Sequence, residues 1–109
     1  MDKTFITLQK AQQLGSKYKL PLYVYSEEII KNKAKILLEA AHDFHVSYAM
    51  KANSNSKILQ ILQESGIHHV DVVSPGEIRK ALKNGYSPNQ ILYTENFIDE
   101  EELDYALAT

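Results

Sequence analysis

Cysteine is absent from this chain of 109 residues, which excludes disulfides, thiolate metal sites and cysteine nucleophiles together. Long apolar runs are also missing: no stretch approaches the roughly 18 residues that a membrane-spanning helix needs. The charge is nearly balanced at a formal −2, so electrostatics suggest neither a nucleic-acid partner nor an anionic membrane. Met1-Asp2-Lys3-Thr4 lacks the apolar core of a secretory leader. A cytoplasmic protein is the expectation, and the length fits one small domain. Tryptophan is absent while tyrosine is plentiful, and neither fact separates one function from another.

What is present is a repeating alternation of short apolar runs and amphipathic segments. Lys3 to Lys19 is polar, with Ala11, Gln12 and Leu14 permitting a short helix before Gly15. Leu20-Pro21-Leu22-Tyr23-Val24-Tyr25 reads as a strand, with the proline near its start, where a missing N–H is tolerated. Ser26 is a good N-cap, and Glu27 and Glu28 suit the positive end of a helix dipole. Ile30, Ala34, Leu37, Leu38 and Ala41 then form one apolar stripe, flanked by the solvated lysines 31, 33 and 35.

Val46 to Met50 reads as a strand, followed by a helix from about Asn55 that carries Ile58, Leu59, Ile61 and Leu62. Gly66 is its natural C′ residue. Val70 to Val73, rich in β-branched residues, is a second buried strand. Ser74-Pro75-Gly76-Glu77 supplies an N-cap, a proline at N1 and a glutamate at N3. That helix carries Ile78, Ala81 and Leu82 and stops at Gly85. Ile91 to Thr94 is a further strand, and Glu100 to Ala108 a further helix. Short connections between alternating strands and helices imply parallel β/α units.

Three such units do not close a (β/α)8 barrel, which takes about 250 residues. The last helix also runs to the end of the sequence. The expectation is therefore an α/β chain that is the truncated N-terminal part of a longer protein. A small open sheet complete in itself is the other architecture, and it leaves hydrophobic edges bare.

Lys51 is the residue that points to chemistry. It closes the run Val46–Met50 and opens a polar loop, and the C-terminal ends of strands are where α/β folds place their sites. An amine held there in drier surroundings loses preference for the charged form and becomes a nucleophile toward an aldehyde. A solvated surface lysine is the plain alternative. Asp71 lies between Val70 and Val72, and burying it unpaired costs several kcal/mol, roughly. Alternation sends it to the face opposite its neighbours; an ordinary structural aspartate is the competing reading.

Weaker candidates have local explanations. Asn53 and Asn55 shape the loop through Asx-type bonds, and Ser74 and Glu77 are explained by capping. Glu95 and Asn96 fall at the rim after the last strand, where loop polarity also accounts for them. His42 and His45 read as solvated. His68 and His69, adjacent in a strand, point to opposite faces and do not share one ion, so no metal site is expected.

Tyr48-Ala49-x-Lys51-Ala52-Asn53, followed by Ile58-Leu59, Leu62 and Gly66, resembles the cofactor-attachment motif of the pyridoxal-phosphate decarboxylases acting on ornithine, arginine and diaminopimelate. The similarity continues through Val70 to Ile78, Ala81 to Tyr86 and Ile91 to Thr94. Lys51-Ala52-Asn53-Ser54-Asn55 with Val73-Ser74-x-Gly76-Glu77 is most similar to the diaminopimelate branch. Pro75 stands where that branch often has glycine, and His68-His69 replaces a usual glycine.

The resemblance implies that Lys51 attaches pyridoxal 5′-phosphate covalently and that Asp71 sits beside the cofactor and the lysine. It implies decarboxylation of meso-2,6-diaminopimelate to L-lysine and carbon dioxide, by a homodimer with an alanine-racemase-like barrel and a second β domain. Residues 26–109 would open the barrel, and 1–25 would be an N-terminal segment whose strand belongs to the β domain. The phosphate loop, the partner of the pyridine nitrogen and the substrate-carboxylate binders lie later in such proteins, so this chain alone is expected to be inactive. Related decarboxylases of ornithine, arginine or carboxynorspermidine, and a non-catalytic relic or binding fragment, are the alternatives.

Overall fold

A computed structural model describes residues 5–109; Met1–Thr4, which the leader reading rests on, lies outside them. Two helices come first, α1 (Leu8–Lys17) and α2 (Glu27–Ala40). Then β1 (Ser47–Ala49), α3 (Ser56–Glu64), β2 (His69–Val72), α4 (Pro75–Lys83), β3 (Ile91–Tyr93) and α5 (Glu100–Leu107) alternate. The strands form one parallel sheet in the order β1-β2-β3. Each strand thus pairs with the next one in the chain.

The helix ends follow from capping chemistry. The Ser26 hydroxyl accepts from the Ile29 N–H at the start of α2, and Asn55 Oδ1 accepts from the Lys57 N–H at the start of α3. Each bond satisfies one backbone donor that the first turn leaves unpaired. Ser74 Oγ accepts from the Glu77 N–H, while Glu77 Oε2 reaches one residue further back, to the Val73 N–H. Gly66 and Gly85, at φ +98° and +88°, take the left-handed conformation that follows a helix end. A reciprocal capping box also joins Ser87 and Gln90 ahead of β3, and the strand pattern gave no sign of it.

Two expectations change near the N-terminus. α1 continues through Gly15 to Lys17, because one glycine inside a helix costs only about 1 kcal/mol. Leu20–Tyr25 forms no strand ladder among the described residues. The sheet begins at β1, so the run has no neighbour to take up its backbone N–H groups.

Packing is confined to one face of the sheet. Val70 and Val72 are fully buried with Met50, Leu59, Ile78, Ala81 and Tyr86, and Tyr105 and Ala106 of α5 close over this cluster. A second cluster joins Ala34 of α2 to Ile58, Leu62 and Ile67. Fully burying one such side chain contributes about 1.5–3 kcal/mol, so these two clusters are what fix α2 to α5 on the strands. Within the α2 stripe, Ile30, Ala34 and Leu38 pack while Leu37 stays exposed. Consecutive strand order with helices on one side is the arrangement of a singly wound barrel segment; a doubly wound sheet would carry helices on both faces.

Two outcomes test this packing. Gly85→Ala is expected to cost about 1–2 kcal/mol from the left-handed backbone. Gly66→Ala should cost more in the same urea titration, because its Cβ would sit 3.0 Å from Leu38 Cδ1, whereas nothing lies within 4 Å at Gly85. Burial, and next the Tyr48 charge, push the Tyr86 phenol up to about 12. A phenol ionises near 10 when unfolded. The stability held by neutral Tyr86 is therefore complete below pH ~10 and lost as the pH rises through about 12. Tyr86→Phe should flatten that loss, read by tyrosinate absorbance and unfolding across the window.

Candidate functional site

The register places Ala49, Asp71 and Leu92 side by side on adjacent strands. Because side chains alternate along a strand, these residues occupy the face opposite buried Val70 and Val72. Asp71 is half-buried there, and Leu92 is 55% exposed, so the helices leave this face uncovered. Beyond the strand ends, the Met50 N–H donates to the Asp71 carbonyl and the Thr94 N–H to the Val72 carbonyl. The ladder thus extends one residue toward the C-terminal rim.

Lys51 follows directly, leaving β1 in a turn closed by the Ala52 N–H on the Ala49 carbonyl. The lysine is exposed, and nothing among the described residues supplies the dry surroundings expected from its sequence context. No ion pair joins Lys51 to Asp71 among the described residues. Instead Asp71 Oδ1 accepts a hydrogen bond from the Thr94 hydroxyl. Thr94 escaped the sequence reading, although its two-residue offset from Leu92 could have placed it on the Asp71 side.

The loop after Lys51 is tied down at several points. Asn53 Oδ1 accepts from the Asn55 N–H at 3.1 Å, the Asx-type bond expected from the sequence. The Tyr48 hydroxyl donates to the Asn53 carbonyl at 2.9 Å. Burial pushes the Tyr48 phenol up from its ordinary value, which keeps it a neutral donor. Asn53 Nδ2 donates to the Tyr25 hydroxyl at 3.0 Å, and Lys80 Nζ donates to Ser54 Oγ at 2.9 Å. Tyr25 and Lys80 carried no signal in the sequence, because each acts across a long separation along the chain.

The remaining candidates sort simply. Ser74 and Glu77 cap α4, and Glu95 Oε1 accepts from the Asn96 and Phe97 N–H groups of its own loop. His42 is exposed beside Asp43, and the His45 ring meets His69 edge-on. Among the described residues, no three His, Asp or Glu side chains are grouped to hold a metal. A cleft of about 480 Å3 opens at the starts of α4 and α5, lined by Gly76, Arg79, Asp99 and Glu102. The Arg79 guanidinium lies over the Tyr105 ring there.

An accessible primary amine at the C-terminal end of a parallel strand, one carboxylate on the adjoining face and an uncovered sheet beside both suit covalent attachment of an aldehyde cofactor. Residues 27–109 match the family model of the pyridoxal-dependent decarboxylase, pyridoxal-binding domain. The chain is 43% identical over 101 residues to diaminopimelate decarboxylase of Methanothermobacter thermautotrophicus, covering 89% of this chain and 23% of that protein. A solved diaminopimelate decarboxylase from M. jannaschi is 35% identical at a TM-score of 0.79, over 88% of this chain and 24% of that one. Lysine decarboxylase from Selenomonas ruminantium superposes at a TM-score of 0.88 with 25% identity, over 98% of this chain and 28% of the other. The chain therefore spans about a quarter of the length of the curated relatives it matches, 23% and 24% for two of them. By this match the chain belongs to the pyridoxal-dependent decarboxylases, and residues 27–109 are part of their pyridoxal-binding domain.

Proposed function

We propose that the protein to which this chain belongs decarboxylates meso-2,6-diaminopimelate to L-lysine and carbon dioxide, with pyridoxal 5′-phosphate held through Lys51. One observation carries this reading: Lys51 follows β1 at the C-terminal rim of a parallel sheet whose open face bears Asp71, within the family's pyridoxal-binding domain. The diaminopimelate branch is favoured by the identities of 43% and 35% to proteins of that name, against 25% to the lysine decarboxylase. When bound, the cofactor supplies an electron sink for the pair left by the departing carboxylate.

The chain's own residues have separable tasks. Lys51 is the catalytic residue that anchors the cofactor, and its amine is accessible for that bond. Asp71 faces the same space as the cofactor-binding carboxylate. Thr94, donating to Asp71 Oδ1, leaves its other oxygen free to accept, because an ionised carboxylate takes several bonds. In the N-terminal segment 1–25, the run Leu20–Tyr25 belongs with a second β domain, and 26–109 open the barrel. The exposed Leu20, Tyr23 and Tyr25 support that division, since such a run is stable only when something apolar covers it. The same reading gives a cytoplasmic homodimer acting on a small amino acid.

Borohydride reduction of the full-length protein with pyridoxal phosphate, followed by peptide mapping, is expected to place the adduct on Lys51 alone. Lys51→Ala should abolish that adduct and lower carbon dioxide release from diaminopimelate by several orders of magnitude. The 109-residue chain alone should release none. Indiscriminate labelling of many lysines, or preferred turnover of ornithine or arginine in a substrate panel, would overturn the assignment.

A further inference from the structure

An amine that must meet an aldehyde carbon is useful only where its backbone is fixed, because a lysine stem has four rotatable bonds and misplacement is costly. Lys51 lies in an irregular loop between β1 and α3. Within that loop, the Ala52 N–H to Ala49 bond and the Asn55 N–H to Asn53 bond set the shape. They do not tie it to the rest of the fold.

Two other bonds do. From the segment just before α2, the Tyr25 hydroxyl accepts the Asn53 amide at 3.0 Å. From the middle of α4, the Lys80 ammonium donates to Ser54 Oγ at 2.9 Å. Asn53 is consequently engaged at its side-chain nitrogen, its side-chain oxygen and its carbonyl, the last by Tyr48. Lys80 is half-buried and takes part in no ion pair among the described residues. A lysine at an ordinary solvated helix position carries its head into water. This one is drawn onto a neutral hydroxyl three residues beyond Lys51, on a different element of the fold.

We propose that Tyr25 and Lys80 are positioning residues for Lys51, acting through Asn53 and Ser54 to hold the turn that presents the amine. The role rests on the reading of Lys51 as the attachment lysine. It also couples two parts of the site, since α4 begins directly after the strand that bears Asp71. Tyr25 adds a link to the loop from the segment before the first β/α unit, through its hydroxyl.

The test uses the full-length protein as Tyr25→Phe, Lys80→Met, their double variant, Lys80→Arg as the conservative rescue and Lys83→Met as a control on the same helix. In the apoprotein, amide hydrogen exchange across residues 51–55 is expected to rise about tenfold in each single variant, the scale of one lost hydrogen bond. It should rise further in the double variant and return toward wild type in Lys80→Arg. With pyridoxal phosphate and borohydride, the share of adduct on Lys51 should fall about as much, with Lys83→Met unchanged in both readings. Should Lys80→Met fail to fold, Ser54→Ala breaks the same bond from its other end. Unchanged exchange in the double variant overturns the proposal, and so does faster exchange with undiminished labelling of Lys51. A wild-type protein not labelled at Lys51 instead sinks the attachment reading, while the exchange rates still report whether the two bonds hold the loop.

Discussion

Burial of Val70 and Val72 beneath α3 and α4 is the constraint from which the remaining geometry follows. Both valines are completely enclosed, and β-strand alternation then leaves Asp71 no position but the other face. A slip of one residue would exchange the two sets, driving a carboxylate into the apolar cluster and a valine out of it. The energetic cost of that exchange locks the register with Ala49 on one side and Leu92 on the other. The placement of the polar groups is thus a by-product of hydrophobic packing on the far side of the sheet.

That division of labour also explains why the rim is polar and irregular. The helices satisfy their own first turns through Asn55, Ser74 and Asp99, so the loops entering them are short and their directions fixed. Each loop leaves the C-terminal end of a parallel strand, and all three sit at one end of the sheet. Residues with unrelated sequence positions, such as Thr94 and Asp71, come into contact there. A carboxylate with one oxygen already held by Thr94 is fixed in orientation without drawing on the neighbouring amine.

Much of this was legible in the residues. The helix starts at Ser26 and Ser74 and the ends near Gly66 and Gly85 follow from local chemistry, as does the Asx bond at Asn53. Parity along Val70–Val73 separates Asp71 from the core, and the position of Lys51 after an apolar run marks a strand end. Most of what escaped depends on a partner distant in sequence; the Ser87–Gln90 capping box is a local exception. The apolar and aromatic run Leu20–Tyr25 reports β propensity, but a strand exists only when paired with another, and none of the described strands pairs with it. Gly15 reads as a stop, yet α1 passes through it. The hydroxyl of Tyr25 and the ammonium of Lys80 reach Asn53 and Ser54 only once the chain has folded, and no periodicity encodes such meetings. Lys51 is more open to water than an activated amine would suggest, because the surroundings of a side chain are a property of the assembled surface.

The consecutive strand order has a kinetic meaning as well. β1 pairs with β2 and β2 with β3, while α2 rests on α3, so every major docking event joins a unit to one made immediately before it. Chains organised in this way close short loops and avoid the entropy of long ones. Each β/α unit thus docks on the edge left by the unit before it, so the sheet can be extended one unit at a time without rearranging what is already packed.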